Sequence, residues 1–524
     1  MSRSLAFGEV QVEPESFSTP KGGSMRRFIP SNSLNRLRSY LRVHSAKWLL
    51  AAAMAAGTAA SCVAGDYLDL SFAGTGATEL NLSERELSEG LHVDSTGRIY
   101  VVGFTKALTI QYEGLDAVID YENQFIARYL SDGSLDTSFG GFGDAPAGVA
   151  IVDFQMKPGQ IAGIVTLDDD SLMTVTVITG AGNQHQLVVS RFLEDGLLDE
   201  SFGQLGRSVI DMGTNFAYDR AQIQLVNDQI YVVSGGYAVR INLDGTLDGG
   251  FAGDGILAKD DFVGAYMLIS DFAVWQNHLI VATHTYSDAP TPVIELCGFD
   301  LNGNPDNGFG SGGVIDLSAH AVSNWPSTKI AVNDQQITAG FDNQVARVGF
   351  DGVLDESFGY GGVMPLLYQG KVTDLILQPY GMTTVAFKMT SVGSENQYAI
   401  RRMLFDGLPD ESFGNSNGVW KGWLQLPWGQ LARAGHLHGY ANGKVLMAGE
   451  YTTAPGAIKN ATLLRTEAFS FETELPEFDG DGFTTHDPTH GGQPPQNFDQ
   501  IVFPEHEFNE FEIHEFEAEH LIFN

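Results

Sequence analysis

The chain has 524 residues, with 65 Asp and Glu against 29 Lys and Arg, a formal net charge of −36. A surface of that sign repels nucleic acid and anionic membranes, which leaves cations, neutral carbohydrate or a basic protein surface as partners. With only two cysteines, the fold cannot rest on a framework of disulfides.

Residues 1–64 differ in character from the rest of the chain. Arg26, Arg27, Arg36, Arg38, Arg42 and Lys47 precede an apolar stretch from Trp48 to Ala60 and then Ser61, Cys62, Val63 and Ala64. A basic region, a short apolar region and small residues predict a secretory signal, too short to span a membrane. Met25 is an alternative start, given the long preamble. Ala59-Ala60-Ser61 before Cys62 resembles a weak lipoprotein box, whereas cleavage after Ala64 puts the first repeat at the mature N-terminus; the second cut is preferred. It leaves Cys297 alone, as a buried small hydrophobe. Removing 8 basic and 3 acidic groups leaves 21 against 62, a mature charge of −41. No later apolar run reaches spanning length, so the expectation is an exported, monomeric protein of the periplasm, cell surface or medium.

From residue 65 a phrase recurs: Leu135-Asp136-Thr137-Ser138-Phe139-Gly140, Leu198-Asp199-Glu200-Ser201-Phe202-Gly203, Leu354-Asp355-Glu356-Ser357-Phe358-Gly359 and Pro409-Asp410-Glu411-Ser412-Phe413-Gly414. Looser copies surround Phe72, Phe251 and Phe309, with Phe478 as an eroded eighth, at spacings of 67, 63, 49, 58, 49, 55 and 65 residues. Eight marks enclose seven units. Most marks come after an apolar run and an Asp-Gly turn, as at Asp132-Gly133, and precede another extended run such as Gly148–Phe154. Two more runs, Ile161–Leu167 and Leu172–Thr179, and a fourth at Gln186–Leu193 complete a unit. The runs favour Val, Ile, Thr, Tyr and Phe and lack a helical period. Four strands in about 50 residues is a propeller blade. One large β-sandwich or a string of small domains is the alternative, but units of this size bury too little surface alone. The fold class is therefore all-β, a seven-bladed β-propeller over residues 65–486.

The phrase Asp-Gly-x-Leu-Asp-x-Ser-Phe-Gly, with later segments like Asp94-Ser95-Thr96-Gly97-Arg98-Ile99-Tyr100-Val101-Val102-Gly103, resembles the delta-60 repeat of bacterial envelope and secreted proteins. The likeness runs from about Gly65 to Gly482 and implies no general catalytic assignment. Gly249-Gly250 before Phe251, and Pro at 305 and 409, depart from the phrase and predict altered connecting loops in those blades.

Carboxylates two to four residues apart in turns suit Ca²⁺, which takes six to eight oxygen ligands. The best sets are Asp300, Asn302, Asn304 and Asp306, and Asp479 with Asp481, so the candidate cofactor is Ca²⁺. An Asp that recurs beside Leu and Phe in every unit is more economically a turn cap, with the Phe as buried anchor. His436-Leu437-His438 puts two imidazoles on one side of a strand, without a third ligand. No nucleophile elbow, phosphate loop or dinucleotide fingerprint occurs, so no catalytic residue is assigned.

Residues 487–524 begin near a Gly-Gly-Gln-Pro-Pro linker. From Thr466 onward there are 15 acidic and no basic residues, a composition typical of a solvated tail; alternating acid and apolar residues, punctuated by His506, His514 and His520, leave a single amphipathic strand as the alternative. The function these features support is a non-catalytic binding or scaffold protein of the envelope or extracellular space. The alternative is a Ca²⁺-dependent propeller hydrolase or lyase acting on an extracellular sugar or ester.

Overall fold

Runs of β-branched and aromatic residues separated by tight turns pair with their neighbours in sequence in six of the described blades, and in the seventh an N-terminal strand pairs with the C-terminal one. The computed structural model describes residues 68–467 except 83–84, 107–110, 114–115, 119–122, 144, 153–158, 180–183, 214–220, 259–266, 286–292, 322–327, 335, 367–369, 391–395, 411–412, 414–422, 426–430 and 453–458. Seven antiparallel four-stranded sheets form the blades, and a small hairpin, Gln111–Glu113 with Asp116–Val118, lies within the first.

From innermost to outermost strand, blade one is Arg85–Val93, Ile99–Lys106, Asn123–Tyr129 and Val149–Val152. Blade two is Gly159–Thr166, Leu172–Thr179, His185–Phe192 and Arg207–Gly213; blade three is Gln222–Val226, Gln229–Ser234, Tyr237–Asn242 and Ile256–Ala258. Blade four comprises Met267–Trp275, His278–Thr285, Ile294–Asp300 and Val314–Asp316, and blade five Thr328–Val332, Ile337–Phe341, Gln344–Val348 and Val363–Pro365. Gly370–Leu377, Thr383–Thr390, Asn396–Met403 and Trp423–Gln425 make blade six. Blade seven takes Leu431–Gly439, Val445–Thr452 and Lys459–Arg465 from the C-terminal side and Ala77–Leu80 from the N-terminal side. Each innermost strand touches that of the next blade, and blade seven's touches blade one's, so the ring is closed.

The repeated phrase lies between the third and outermost strands, one strand out of phase with the blade. Its Phe is the anchor of the junction to the next blade: Phe139, Phe202, Phe358 and Phe413 are at most 1% exposed, as are Phe72 and Phe251. The phrase also carries a main-chain bond to the following blade. Ala73, Gly140, Gly203, Ala252, Gly310 and Gly359 each donate an N–H to the carbonyl of Asp132, Asp195, Asp244, Asn302, Asp351 and Asp406 in turn, at 2.6–3.0 Å. Gly at the turn lets the blades approach: a Cβ on Gly196, which has φ +90°, would sit 2.9 Å from the Phe139 ring.

Two expectations change. Phe72 is already the anchor of blade seven, because Ala77–Leu80 completes that blade and Leu68 bridges Thr466. Seven phrases therefore serve seven blades, and Phe478 lies outside the described residues. The departures from the phrase do not alter its loops: Pro305 and Pro409 make the same bridges, to Phe299 and Met403, that Leu135 makes to Tyr129. Those positions give only a side chain to the turn, so Pro fits. At Gly250 the backbone N–H still reaches Asp248 at 2.9 Å, as Ser138 N–H reaches Asp136 at 3.0 Å.

Candidate functional site: the central channel

The acidic turns are committed within the blades. The first Asp of each pair accepts the N–H two residues on, as Asp132 does from Ser134. The second does the same and adds an arginine from the third strand: Asp136 accepts Ser138 N–H and Oγ on one oxygen and Arg128 Nε on the other at 2.8 Å. Arg240–Asp248, Arg347–Asp355, Arg402–Asp410 and Arg465–Asp69 repeat this pair. These arginines lie 4.6–5.2 Å over the ring of their blade's anchor Phe. They also donate to a carbonyl of the next blade, from Arg128 to Glu194 and from Arg465 to Ser131, both at 2.6 Å. Sequence reading missed this arginine, although its constant eight-residue lead over Asp136, Asp199, Asp248, Asp355 and Asp410 was there to find.

The Ca²⁺ candidates fall in the same kind of turn. Asp300 accepts Asn302 N–H, Asn304 N–H and Asn304 Nδ2 at 2.8–2.9 Å, and Asp306 accepts Gly308 N–H while standing 3.4 Å from His278 Nδ1. Both carboxylates thus act as turn caps. Asp479, Asp481, His506, His514, His520 and Cys62 lie outside the described residues. Cys297 is 2% exposed, and burial pushes its thiol up to about 12, an unreactive small core residue.

Charge collects instead along the innermost strands. Asp271, Lys329, Asp374 and His436 occupy equivalent places in blades four to seven, opposite Ala282, Gly340, Ala386 and Ala448. Asp271 accepts Phe272 N–H and, across the junction, Ile330 N–H, both at 2.9 Å. Asp374 likewise accepts Leu375 N–H at 2.8 Å and Leu437 N–H of blade seven at 2.7 Å. Burial raises both carboxyls against the pull of Lys329, Asp374 to about 7. Glu86, Glu89 and Glu450 are also buried, on blades one and seven.

At the end of the innermost strands nearest the repeated phrases, blades five to seven line an open cavity of about 480 Å³. Asn333, Gln378 and His438 are its polar walls, and Val332, Leu375, Leu377 and Leu437 supply apolar surface. His438 packs edge-on against Tyr440 at 4.9 Å, and burial lowers its basicity. His92 donates to or accepts from Thr166 Oγ1 at 2.9 Å, and burial first, then His438, brings it to about 4. His92 lies outside the cavity, and no Asp, Glu, Lys or Arg is in its lining, where His438 is the one titratable group and is shifted by burial toward its neutral form. His436 and His438 do project to one side of their strand, as expected from sequence. Among the described residues, no group of three or more His, Cys, Asp or Glu is arranged to hold a metal ion.

A family model described as a β-propeller domain of unknown function, DUF5122, matches residues 121–139, the third strand and phrase of blade one. No curated protein matches the chain. Among solved structures, a catalytically inactive virginiamycin B lyase from Staphylococcus aureus with quinupristin is similar at 12% identity and a TM-score of 0.40, over 74% of this chain and 98% of that one. A protein of unknown function from Dyadobacter fermentans is similar at 13% identity and TM-score 0.40, over 75% and 98%. These are likenesses of fold alone. No helix among the described residues is long and apolar enough to cross a membrane.

Proposed function

We propose that this protein is an exported, non-catalytic binding scaffold of the delta-60 repeat type, and that its ligand is a neutral carbohydrate held in the cavity at the end of the channel. The observation that carries this reading is the lining: in a chain of net charge −36, the 480 Å³ cavity presents no charged side chain. A site of this size suits one or two sugar rings, with amide and imidazole groups for hydroxyls and aliphatic walls for ring faces. The repeated residues support a scaffold too, since Arg, Asp, Ser and Phe of each phrase are engaged in joining blades.

One observation favours the enzyme reading: the Asp374 carboxyl, near 7, lies in the range of a general acid. Both of its oxygens, however, accept backbone N–H groups from two blades. Incubating the exported chain with neutral polysaccharides and esters, with and without Ca²⁺, separates the two readings. Saturable binding without turnover is expected; turnover abolished by Asp374→Asn would establish the enzyme.

A further inference from the structure

On the face of the ring that carries the repeated phrases, blades five and six expose aromatic side chains. Tyr380 is 82% exposed, Tyr360 74% and Phe405 49%. Neighbouring turns bring the three together. The turn between the two inner strands of blade six, Pro379–Gly381, packs so closely on the turn after the third strand that a Cβ on Gly381 would collide with the Phe405 ring. Asp406, next to Phe405, accepts the Gly359 N–H on its main-chain carbonyl at 2.8 Å, which sets Tyr360 of blade five beside that turn. Leu404 and Leu408 add exposed aliphatic surface there. Single exposed apolar residues need no explanation, but a contiguous patch marks an interaction surface.

The rings are held in position. Arg347 lies 4.2 Å over the Phe405 ring and donates to the Phe405 carbonyl, so that side chain is backed by a buried guanidinium. Tyr380 takes φ +64°, a left-handed conformation that bulky residues avoid, within the turn that presents it. The charge exposed around the patch has one sign. Asp351 and Glu356 of blade five and Asp406 of blade six are exposed, whereas Arg347 and Arg402 are buried and paired with Asp355 and Asp410. The C-terminal segment of the chain does not complement this surface, since from Thr466 onward it has 15 acidic and no basic residues.

We propose that Tyr360, Tyr380 and Phe405 form a docking surface for a basic protein segment, whose Arg or Lys side chains lie against the rings and the flanking carboxylates while its apolar side chains cover Leu404 and Leu408. Charge complementarity selects this occupant: aromatic faces and carboxylates both attract cations, and an acidic partner is repelled. Aromatic residues are also those that anchor protein interfaces. Tyr380 follows two residues after Gln378 of the cavity wall, so the competing occupant is a neutral oligosaccharide reaching out of the cavity. The docking surface does not depend on what fills the cavity.

The test is a titration of the full chain with a soluble peptide of arginine, leucine and glycine, with the same peptide carrying glutamate for arginine, and with cellohexaose and maltohexaose. The arginine peptide should bind saturably and more weakly as salt rises, and the glutamate peptide should not bind. Tyr380→Ser and Tyr360→Ser should each lower affinity for the arginine peptide by about tenfold or more, the loss of an aromatic anchor, with the melting temperature retained. Leu377→Trp, which fills the cavity, should leave peptide binding unchanged. Equal affinity in wild type and both tyrosine variants would mean a general attraction to an acidic chain and overturns the proposal. A wild type that does not bind the arginine peptide overturns it as well. So does a loss of oligosaccharide rather than peptide binding in the tyrosine variants, which would assign the patch to carbohydrate.

Discussion

At the scale of single residues, blade four shows how the repeated phrase tolerates a missing part. Where other blades carry the arginine, blade four has Gly298, and the Phe309 ring has moved against it: a Cβ there would lie 2.6 Å from Phe309 Cγ. Restoring a side chain is therefore harmful despite its resemblance to the other repeats. Gly298→Ala should cost about 1–3 kcal/mol, the range for overpacking a filled core, measurable by denaturant unfolding; a neutral or stabilising effect would show that the junction has slack. The Asp374 carboxyl gives a second residue-level expectation. Its folded value of about 7 exceeds the unfolded one, so between about pH 4 and 7 the folded state holds a proton that the unfolded chain has released, and stability falls as pH rises through that window. His92 and His284, lowered to about 4, act in the opposite sense and lose stability as pH falls below 6.5. Asp374→Asn removes only the first effect, so relative to wild type it should gain about 1–3 kcal/mol on going from pH 5 to pH 8. A constant difference across that range would mean that Asp374 is ionised throughout.

At the scale of elements, ring closure rests on one short strand and one ion cluster. Ala77–Leu80 pairs with Lys459–Arg465, and just before it Asp69 accepts Arg465 Nε at 2.6 Å and stands 2.7 Å from Lys444. Burial pushes the Asp69 carboxyl up, but hydrogen bonds from Lys444, Ser71 and Arg465 together outweigh it and hold the group at about 2. Its contribution is present above the unfolded value of 3.8 and is lost as pH falls from there toward 2. Asp69→Ala leaves Arg465, 9% exposed, without its carboxylate and should cost about 3–5 kcal/mol. Hydrogen exchange should show the loss first in blade seven. Equal loss of protection in every blade would contradict this account of closure.

At the scale of the whole molecule, the sequence reveals the blades and conceals the site for the same physical reason. The phrase recurs because each junction needs the same Phe anchor, the same Asp cap and the same approach of main chains, and those demands leave a readable pattern at Asp136, Phe139 and their counterparts. The channel obeys no such repetition. Asp271, Lys329, Asp374 and His436 are equivalent in register yet not alike in chemistry, so only the packing of successive innermost strands brings them together. Phase was also illegible: the phrase marks a joint between strands three and four, and placing Phe72 in the last blade required knowing that the N-terminal strand returns to it. The Asp sets that looked suited to Ca²⁺ were legible as turns, and Asp300 and Asp306 act as caps.

The central claim is that the phrases build the ring while the uncharged cavity does the binding. A side-by-side titration with a neutral oligosaccharide found in the screen, using Leu377→Trp to fill the cavity and Asp355→Ala to break a phrase, tests it most directly. The account predicts that Leu377→Trp loses binding with its melting temperature retained, whereas Asp355→Ala melts lower yet binds normally below its transition. Binding that survives in Leu377→Trp and disappears in a folded Asp355→Ala would place the site in the phrases and contradict the account.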